Sequence, residues 1–200
     1  MKEILALLSA ILIIVAAPPY IIDTVKGKTK PQRVTWLIFS VLGLIAFFSQ
    51  LSLGATWSLV FLGFDTSASI LAFILSVKYG VGGHSRLDTI ALTIAGSGVL
   101  LALLAKQPII ALLGVILADI SGVTLTIRKA YTHPGTETAI SWWLVGTASL
   151  LGVLTVGEVK LSLLIYPIYL LIVNYAVPVA QIFGYKLNKK TSCHRSIHST

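Results

Sequence analysis

Two acidic residues lie inside long apolar stretches of the sequence and are its strongest candidates for chemistry. Asp65 occurs in the sequence Gly-Phe-Asp-Thr-Ser-Ala-Ser, and Asp119 occurs in Leu-Ala-Asp-Ile-Ser-Gly. An ionisable group at membrane depth costs about 2.5–3.5 kcal/mol on insertion scales, and it usually faces a bundle interior or a cavity. Such a carboxyl group either accepts a proton or pairs with a cation. The alternative is a structural role, in which each acid makes an interhelical hydrogen bond worth about 1 kcal/mol or less.

The composition is that of an integral membrane protein. Of the 200 residues, 56% are hydrophobic and 11% are charged, and the mean hydropathy is +0.92. Soluble domains have roughly 45–50% apolar and 25% charged residues. The net charge of +8 does not indicate a nucleic-acid partner, because the cations lie between apolar segments and form no basic surface interleaved with aromatic residues. The expected partner is the lipid bilayer.

The sequence contains no motif for a cofactor, a metal ion or an enzymatic nucleophile. It lacks a nucleotide-binding loop, a His-Glu-x-x-His sequence and a nucleophile elbow, so we expect neither enzymatic activity nor a cofactor. Cys193, His194 and His198 superficially suggest a metal site. They lie in a polar tail, residues 187–200, that we expect to be cytoplasmic and disordered, without bound metal.

Seven apolar segments are long enough to cross a bilayer as helices, which requires about 20 residues. We predict helices at residues 3–22, 34–53, 56–77, 88–105, 108–127, 138–156 and 161–183. The connections are short, so neighbouring helices are expected to form antiparallel hairpins. The sequence therefore predicts an all-α integral membrane protein without a soluble domain.

The distribution of Lys and Arg predicts the orientation of the chain in the membrane. Twelve basic residues fall on the side of the first, third and fifth loops and the C-terminal tail, and three fall on the other side. By the positive-inside rule the N-terminus is outside and the C-terminus is cytoplasmic, in the plasma or inner membrane. Trp36, Trp142 and Trp143 fall at cytoplasmic helix ends, and Trp57 falls at an outer end, as expected for an aromatic belt.

A weak internal repeat divides the chain into two three-helix units. At an offset of 103, four residues of the first loop match four near the fifth: Lys26, Thr29, Pro31 and Thr35 match Lys129, Thr132, Pro134 and Thr138. A fourth helix without a counterpart allows both units to point the same way in the membrane, as in parallel repeats. We predict a first unit at residues 1–80, a linker helix at residues 81–106 and a second unit at residues 107–186.

This 3-1-3 layout resembles the PQ-loop superfamily, which includes the SWEET and SemiSWEET sugar transporters and cystinosin. The motif evidence lies in residues 19–36, where a proline-broken first helix leads into a basic loop containing Lys-Thr-Lys. Pro19-Tyr20 stands at the position of the family's Pro-Gln pair, and Gly122 stands at that of the second proline. The resemblance covers nearly the whole chain as a layout.

In that family, a pair of polar residues on the third and seventh helices lines the central pocket. Aligning the ends of these helices at an offset of 108 places Thr66 opposite Asn174, beside Asp65. The resemblance therefore implies a substrate site at Asp65, Thr66 and Asn174, to which the apolar context adds Asp119. The structural alternative is that each of them makes an interhelical hydrogen bond.

The resemblance implies a small-solute transporter of the sugar or amino-acid class that works by alternating access around a midplane pocket. We expect its hinges at soft points in the first and fifth helices: Pro18, Pro19, Ser121 and Gly122. The alternative is a non-transporting accessory or assembly protein that retains the fold and uses its acids for packing. A cavity that touches both acids favours the transporter, and close packing around them favours the accessory protein. The sequence leaves proton coupling, substrate identity and homo-oligomer formation open.

Overall fold

Seven α-helices joined by short connections make up the part of the chain that the structure describes. The computed structural model describes the backbone of residues 1–197 and the side chains of residues 1–187. The helices are α1 Lys2–Val25, α2 Arg33–Ser52, α3 Ser58–Tyr79, α4 Arg86–Leu104, α5 Pro108–Thr132, α6 Ala139–Leu154 and α7 Leu161–Ile197. A short 3₁₀ turn, Pro134–Thr136, precedes α6. The predicted all-α class and the seven predicted helices are confirmed.

Helix α6 is shorter than the other six. All of those six are long and apolar enough to cross a membrane, as is typical of an integral membrane protein. Helix α6 has 16 residues and spans about 24 Å at a rise of 1.5 Å per residue, which is less than the hydrocarbon core of about 30 Å. The span predicted at residues 138–156 is therefore too long, because Thr138 and Thr155 cap the helix.

Helix α7 continues past its predicted end at residue 183 and runs to Ile197. The tail predicted at residues 187–200 thus begins within this helix. Side chains beyond residue 187, and residues 198–200 altogether, lie outside the described residues. The expectations for Cys193, His194 and His198 fall there.

The start of α4 is tied to the loop between α1 and α2. Ser85 and Asp88 form a capping box, in which the Ser85 hydroxyl accepts from the Asp88 N–H and the Asp88 carboxylate accepts from the Ser85 N–H. Such a box satisfies two backbone donors at the helix start. The second carboxylate oxygen accepts a hydrogen bond of 2.7 Å from Gln32 Nε2. The α1–α2 and α3–α4 loops therefore share one face of the bundle.

The α5–α6 loop and the C-terminal part of α7 meet the same face. The Lys30 N–H donates to the Thr136 carbonyl at 3.1 Å, and Gln181 Nε2 donates to the Pro134 carbonyl at 2.7 Å. We call this surface the basic face, because these three loops and the helix ends beside them carry eight of the eleven Lys and Arg residues outside α7.

The opposite face carries the N-terminus and the α2–α3 and α6–α7 loops. Lys2 Nζ donates to the Gly157 carbonyl at 2.8 Å. Ala55, Val156 and Leu163 form a small buried cluster there. The loops thus alternate between two faces, as expected for a chain that crosses the bundle repeatedly.

Six helices surround the centre of the bundle, and α4 lies at its edge. Helix α1 packs on α3 and α6, and α5 packs on α7 and α2. In addition, α2 packs on α3, and α6 packs on α7. Helix α4 packs mainly against α5. The core thus forms where α1, α2, α3, α5, α6 and α7 meet.

Small residues hold α4 close to α5. A methyl group at Gly98 would lie 2.6 Å from the Gly114 carbonyl oxygen, and one at Gly114 would lie 2.8 Å from the Gly98 carbonyl oxygen. Gly96, on the same helix, faces open space. Such close backbone approach is how membrane helices gain packing energy when lipid and protein are equally apolar.

Candidate functional site

A cavity of about 90 Å³ lies in the middle of the bundle. Its wall is formed by described residues of α1, α2, α3, α5, α6 and α7. The four residues predicted as the site all line it: Asp65, Thr66, Asp119 and Asn174. Each lies in the middle third of its helix. The cavity is large enough for several water molecules or for a solute of a few heavy atoms.

Asp65 presents a free carboxylate to this cavity. The residue is half-buried, and hydrophobic residues such as Ile13, Leu170 and Val173 share the wall with it. Among the described residues, no side chain or backbone group donates a hydrogen bond to the Asp65 carboxylate. A carboxylate at this depth without a donor is costly, so its arrangement differs from that of a structural acid held by fixed partners.

Asp119 is more enclosed and has one donor. It is 4% exposed and accepts a hydrogen bond of 2.6 Å from Tyr169 Oη, which bridges α5 and α7. This length is usual for a hydroxyl group that donates to a carboxylate. Asp119 therefore combines a structural link between two helices with a position on the cavity wall.

Thr66 and Asn174 are the predicted pair of polar residues on α3 and α7. Thr66 packs against Gly43 of α2, where an added methyl group would lie 2.7 Å from Thr66 Oγ1. Asn174 Nδ2 donates to Ser149 Oγ of α6 at 3.0 Å. The Thr66 hydroxyl is buried and has no hydrogen-bond partner in the part of the chain that the structure describes. One residue of the pair is thus tied to the neighbouring helix, and the other has an unused hydroxyl.

Aromatic side chains close the cavity towards the basic face. Trp36 and Trp142 stack with ring centroids 5.8 Å apart and an interplanar angle of 29°. Tyr20 meets Trp36 edge-on at 5.4 Å and accepts a hydrogen bond of 2.9 Å from its Nε1. All three residues line the cavity.

The predicted aromatic belt is therefore wrong for two of its four members. Trp57 and Trp143 are exposed at helix ends, as a belt requires. Trp142 is buried, and Trp36 is half-buried against it. Both rings turn into the bundle, where each indole packs against the other.

An ion pair supports the indole of Trp142 from the basic face. Trp142 Nε1 donates to Glu137 Oε2 at 2.9 Å, and Lys129 Nζ lies 2.6 Å from Glu137 Oε1. The Glu137 side chain is fully buried, whereas that of Lys129 is 12% exposed. The pair joins the end of α5 to the start of α6 beneath the aromatic closure.

A chain of hydroxyl groups links the α1–α2 and α5–α6 loops beside this ion pair. Thr138 Oγ1 donates to Asp23 Oδ2 at 3.1 Å and lies within hydrogen-bond distance of Thr29 Oγ1. Because the Thr138 proton is used by Asp23, Thr29 is the donor to Thr138. The end of α1, the α1–α2 loop and the start of α6 are thus joined.

Packed hydrophobic residues lie between the cavity and the opposite face. Phe61 of α3 is buried, and a methyl group at Gly152 of α6 would lie 3.0 Å from its ring. Beyond it, a void of about 10 Å³ is lined by Gln50, Ser58 and Tyr166, among others. Tyr166 also lines the main cavity, so the two spaces are separated by about one layer of side chains.

Two hydrogen bonds join the first three helices to α5 and α6 beside the cavity. The Thr35 hydroxyl of α2 donates to the Gly122 carbonyl of α5 at 2.8 Å. The Ser141 hydroxyl of α6 donates to the Ala16 carbonyl of α1, also at 2.8 Å. Both donors are buried.

The predicted hinge residues lie within continuous helices. Pro18 and Pro19 are inside α1, and because proline lacks an N–H, two carbonyls of the preceding turn have no helical donor. Ser121 and Gly122 are inside α5. Ser121 Oγ lies 2.5 Å from the Ala118 carbonyl of its own helix and 3.0 Å from the Ala91 carbonyl of α4. Gly122 packs on Ile38 of α2. The structure thus gives the α5 pair a packing role.

Sequence reasoning missed the aromatic part of the site. Tyr166 and Tyr169 lie three positions apart on α7, a spacing that brings two side chains to one helix face, and that signal was available. The inward rotation of Trp36 and Trp142 had no comparable signal, because both sit at helix ends where belt residues are also expected.

Comparison with known proteins gave no match, either to a family model, to a curated protein or to a solved structure. Inference about function therefore rests on the residues and their geometry.

Proposed function

We propose that this protein is a small-solute membrane transporter that works by alternating access around the central cavity. The observation that carries the proposal is the cavity itself, which touches both Asp65 and Asp119 in the middle of the bundle. A solute site in such a transporter lies near the bilayer midplane between two helical units. The alternative, an accessory protein that uses its acids for packing, predicts close packing where this cavity lies.

The two hydrogen bonds beside the cavity support a parallel repeat. Thr35 and Ser141 are 106 positions apart, and so are their acceptors Ala16 and Gly122, but each donor bonds the acceptor of the other half. Such reciprocal contacts are expected across a two-fold axis. Trp36 and Trp142 are also 106 positions apart and stack on each other, as equivalent residues near such an axis must.

The helix contacts are consistent with the same relation. Helices α1 and α5 pack on α3 and α7, respectively, and on α6 and α2 of the other half. This pattern supports a 3-1-3 arrangement with α4 as the linker. These contacts favour an offset of 106 residues between the two units, whereas the loops suggested 103. With an offset of 106, Thr35 corresponds to Ser141 and not to Thr138. Because this layout is the one that resembles the PQ-loop superfamily, we include a relationship to that superfamily in the proposal.

The orientation in the membrane is proposed from charge. The basic face faces the cytoplasm, in the plasma or inner membrane, because cytoplasmic loops carry an excess of Lys and Arg. The Trp36–Trp142 pair then lies at the cytoplasmic end of the cavity, and Phe61 lies towards the outer side.

Accessibility of the cavity tests alternating access without knowledge of the solute. Ser69 is 6% exposed and lines the cavity. We would replace Cys193, the single native cysteine, by Ser, introduce Ser69→Cys, and treat sealed vesicles of each orientation with a membrane-impermeant maleimide. Alternating access predicts labelling of residue 69 from both sides.

Ser76→Cys is the matched control, because Ser76 lies on the same helix, is fully buried and does not line the cavity. It should stay unlabelled until the protein is denatured. Labelling of Ser69→Cys from one side alone would exclude alternating access, and labelling from neither side would favour the accessory protein.

A further inference from the structure

We infer that the solute of this cavity is a small organic cation, an ammonium compound that lacks a carboxylate. The inference rests on the proposed function for transport, but binding in the cavity can be tested separately. It is narrower than the sugar or amino-acid class expected from the sequence, and it follows from which groups line the wall.

The cavity wall has acids and no base. Asp65 and Asp119 line it, and no Lys, Arg or His among the described side chains does so. Two carboxyl groups in an apolar surrounding are stabilised by a cation or by protonation. An anionic solute would be repelled by either carboxylate.

The absence of a base also argues against amino acids and sugars. An amino acid brings a carboxylate that needs a cationic partner or a cluster of N–H donors, and the lining described above offers no cationic side chain. A sugar has no charge that would offset the two acids. It would also need a hydrogen-bonding group for most of its hydroxyls, whereas most of the lining residues are hydrophobic, such as Ile13, Val123 and Val145.

Aromatic rings supply the second element that an ammonium group requires. Tyr20, Trp36, Trp142 and Tyr166 line the cavity, and Trp and Tyr faces attract cations through the ring quadrupole. Recognition of alkylated ammonium groups commonly combines such rings with a carboxylate. In this protein, the aromatic rings at the basic-face end and the two acids line the same cavity.

Two polar groups on α3 remain without partners. The Asp65 carboxylate has no donor among the described residues, and the buried Thr66 hydroxyl has no hydrogen-bond partner. The positive charge of an ammonium compound can pair with Asp65, and an N–H, where the compound has one, can donate to Thr66. Its alkyl part would contact the hydrophobic wall. The volume of about 90 Å³ limits the solute to a few heavy atoms.

Binding to the purified full-length protein tests the chemical class. We would measure calorimetric affinities for isobutylammonium and tetramethylammonium, with isobutanol, isobutyrate and alanine as neutral, anionic and zwitterionic probes of similar size. We expect both cations to bind at least tenfold more tightly than any of the other three. Equal or tighter binding of isobutanol, isobutyrate or alanine would overturn the inference.

Removal of one charge at a time identifies the site. Asp65→Asn keeps the size of the side chain and should weaken binding of tetramethylammonium at least tenfold. Glu158→Gln is the matched control, because Glu158 is exposed in the α6–α7 loop and pairs with Lys160, and its affinity should equal that of the wild type. If Asp65→Asn does not fold, the comparison of the five probes on the wild-type protein still tests whether the cavity prefers a cation.

Transport is then measured with labelled tetramethylammonium in proteoliposomes by counterflow, because its permanent charge prevents leakage as a neutral amine. Cation binding without counterflow would keep the inferred site and overturn the proposed transport. Counterflow of a sugar or an amino acid, without cation binding, would keep the transporter and overturn the inferred solute class.

Discussion

Trp36 of α2 and Trp142 of α6 stack at the basic-face end of the cavity, with ring centroids 5.8 Å apart. The two rings come from helices that are far apart in the chain, so their contact joins its two halves. A solute that leaves through the basic face must separate the rings or pass beside them. The buried ion pair of Lys129 and Glu137 supports the closure through the hydrogen bond from Trp142.

Weakening this ion pair should open the basic-face end. Glu137→Gln retains an acceptor for the Trp142 indole but removes the charge that Lys129 pairs with, and Lys129 is then left largely buried without a counterion. In the Ser69→Cys background, we expect the maleimide labelling rate from the basic-face side to rise several-fold. Glu158→Gln, which removes an exposed carboxylate on the opposite face, should leave the rate unchanged. An unchanged rate in Glu137→Gln would show that the ion pair does not hold the cavity closed.

The reciprocal hydrogen bonds between the halves should both contribute to stability. Thr35→Val and Ser141→Ala each remove a hydroxyl that bonds a carbonyl of the other half, and we expect each to lower the free energy of unfolding by about 1 kcal/mol. The loss should be at least as large for Thr35, which also accepts a hydrogen bond from Thr126. Titration with SDS in mild detergent micelles measures this quantity.

Thr93→Val is the control for these two variants. The Thr93 hydroxyl is exposed and bonds a carbonyl of its own helix, so its removal should not reduce stability. A destabilisation confined to only one of Thr35→Val and Ser141→Ala would argue against equivalent roles.

The glycine contact between α4 and α5 should tolerate no side chain. Gly98→Leu would drive a side chain into the α5 backbone at Gly114, and overpacking of this kind typically costs about 1–3 kcal/mol. Gly96→Leu, two positions away on the same helix, points into open space and should be neutral. The thermal midpoint of unfolding in detergent compares them. Equal midpoints for the two variants would contradict the close approach of α4 to α5.

The proposed orientation predicts which face of the protein a reagent outside the cell can label. The single native cysteine, Cys193, should react with an impermeant maleimide only after the cells are opened, because the C-terminus is expected in the cytoplasm. In the Cys193→Ser background, Glu158→Cys on the opposite face should react in intact cells. Labelling of Cys193 in intact cells would reverse the proposed topology.

The sequence alone determined the class of the protein, the seven helices and the four polar residues that line the cavity. These follow from local properties, since a segment of about 20 apolar residues is enough to predict a spanning helix, and an acid within it stands out by its cost. Helix bounds near the caps of α6 were less accurate, because Thr138 and Thr155 are compatible with either helix or loop.

Only the tertiary structure decided which way each helix face points. Asp119 bonds Tyr169, Trp142 turns inward to Trp36, and Thr35 bonds Gly122, and none of these partners follows from the sequence. In a soluble protein the contrast between polar and apolar faces indicates the buried side of a helix. In a membrane the lipid is as apolar as the protein interior, so hydrophobicity does not distinguish the two sides, and the helix rotation is set by packing between side chains distant in the chain.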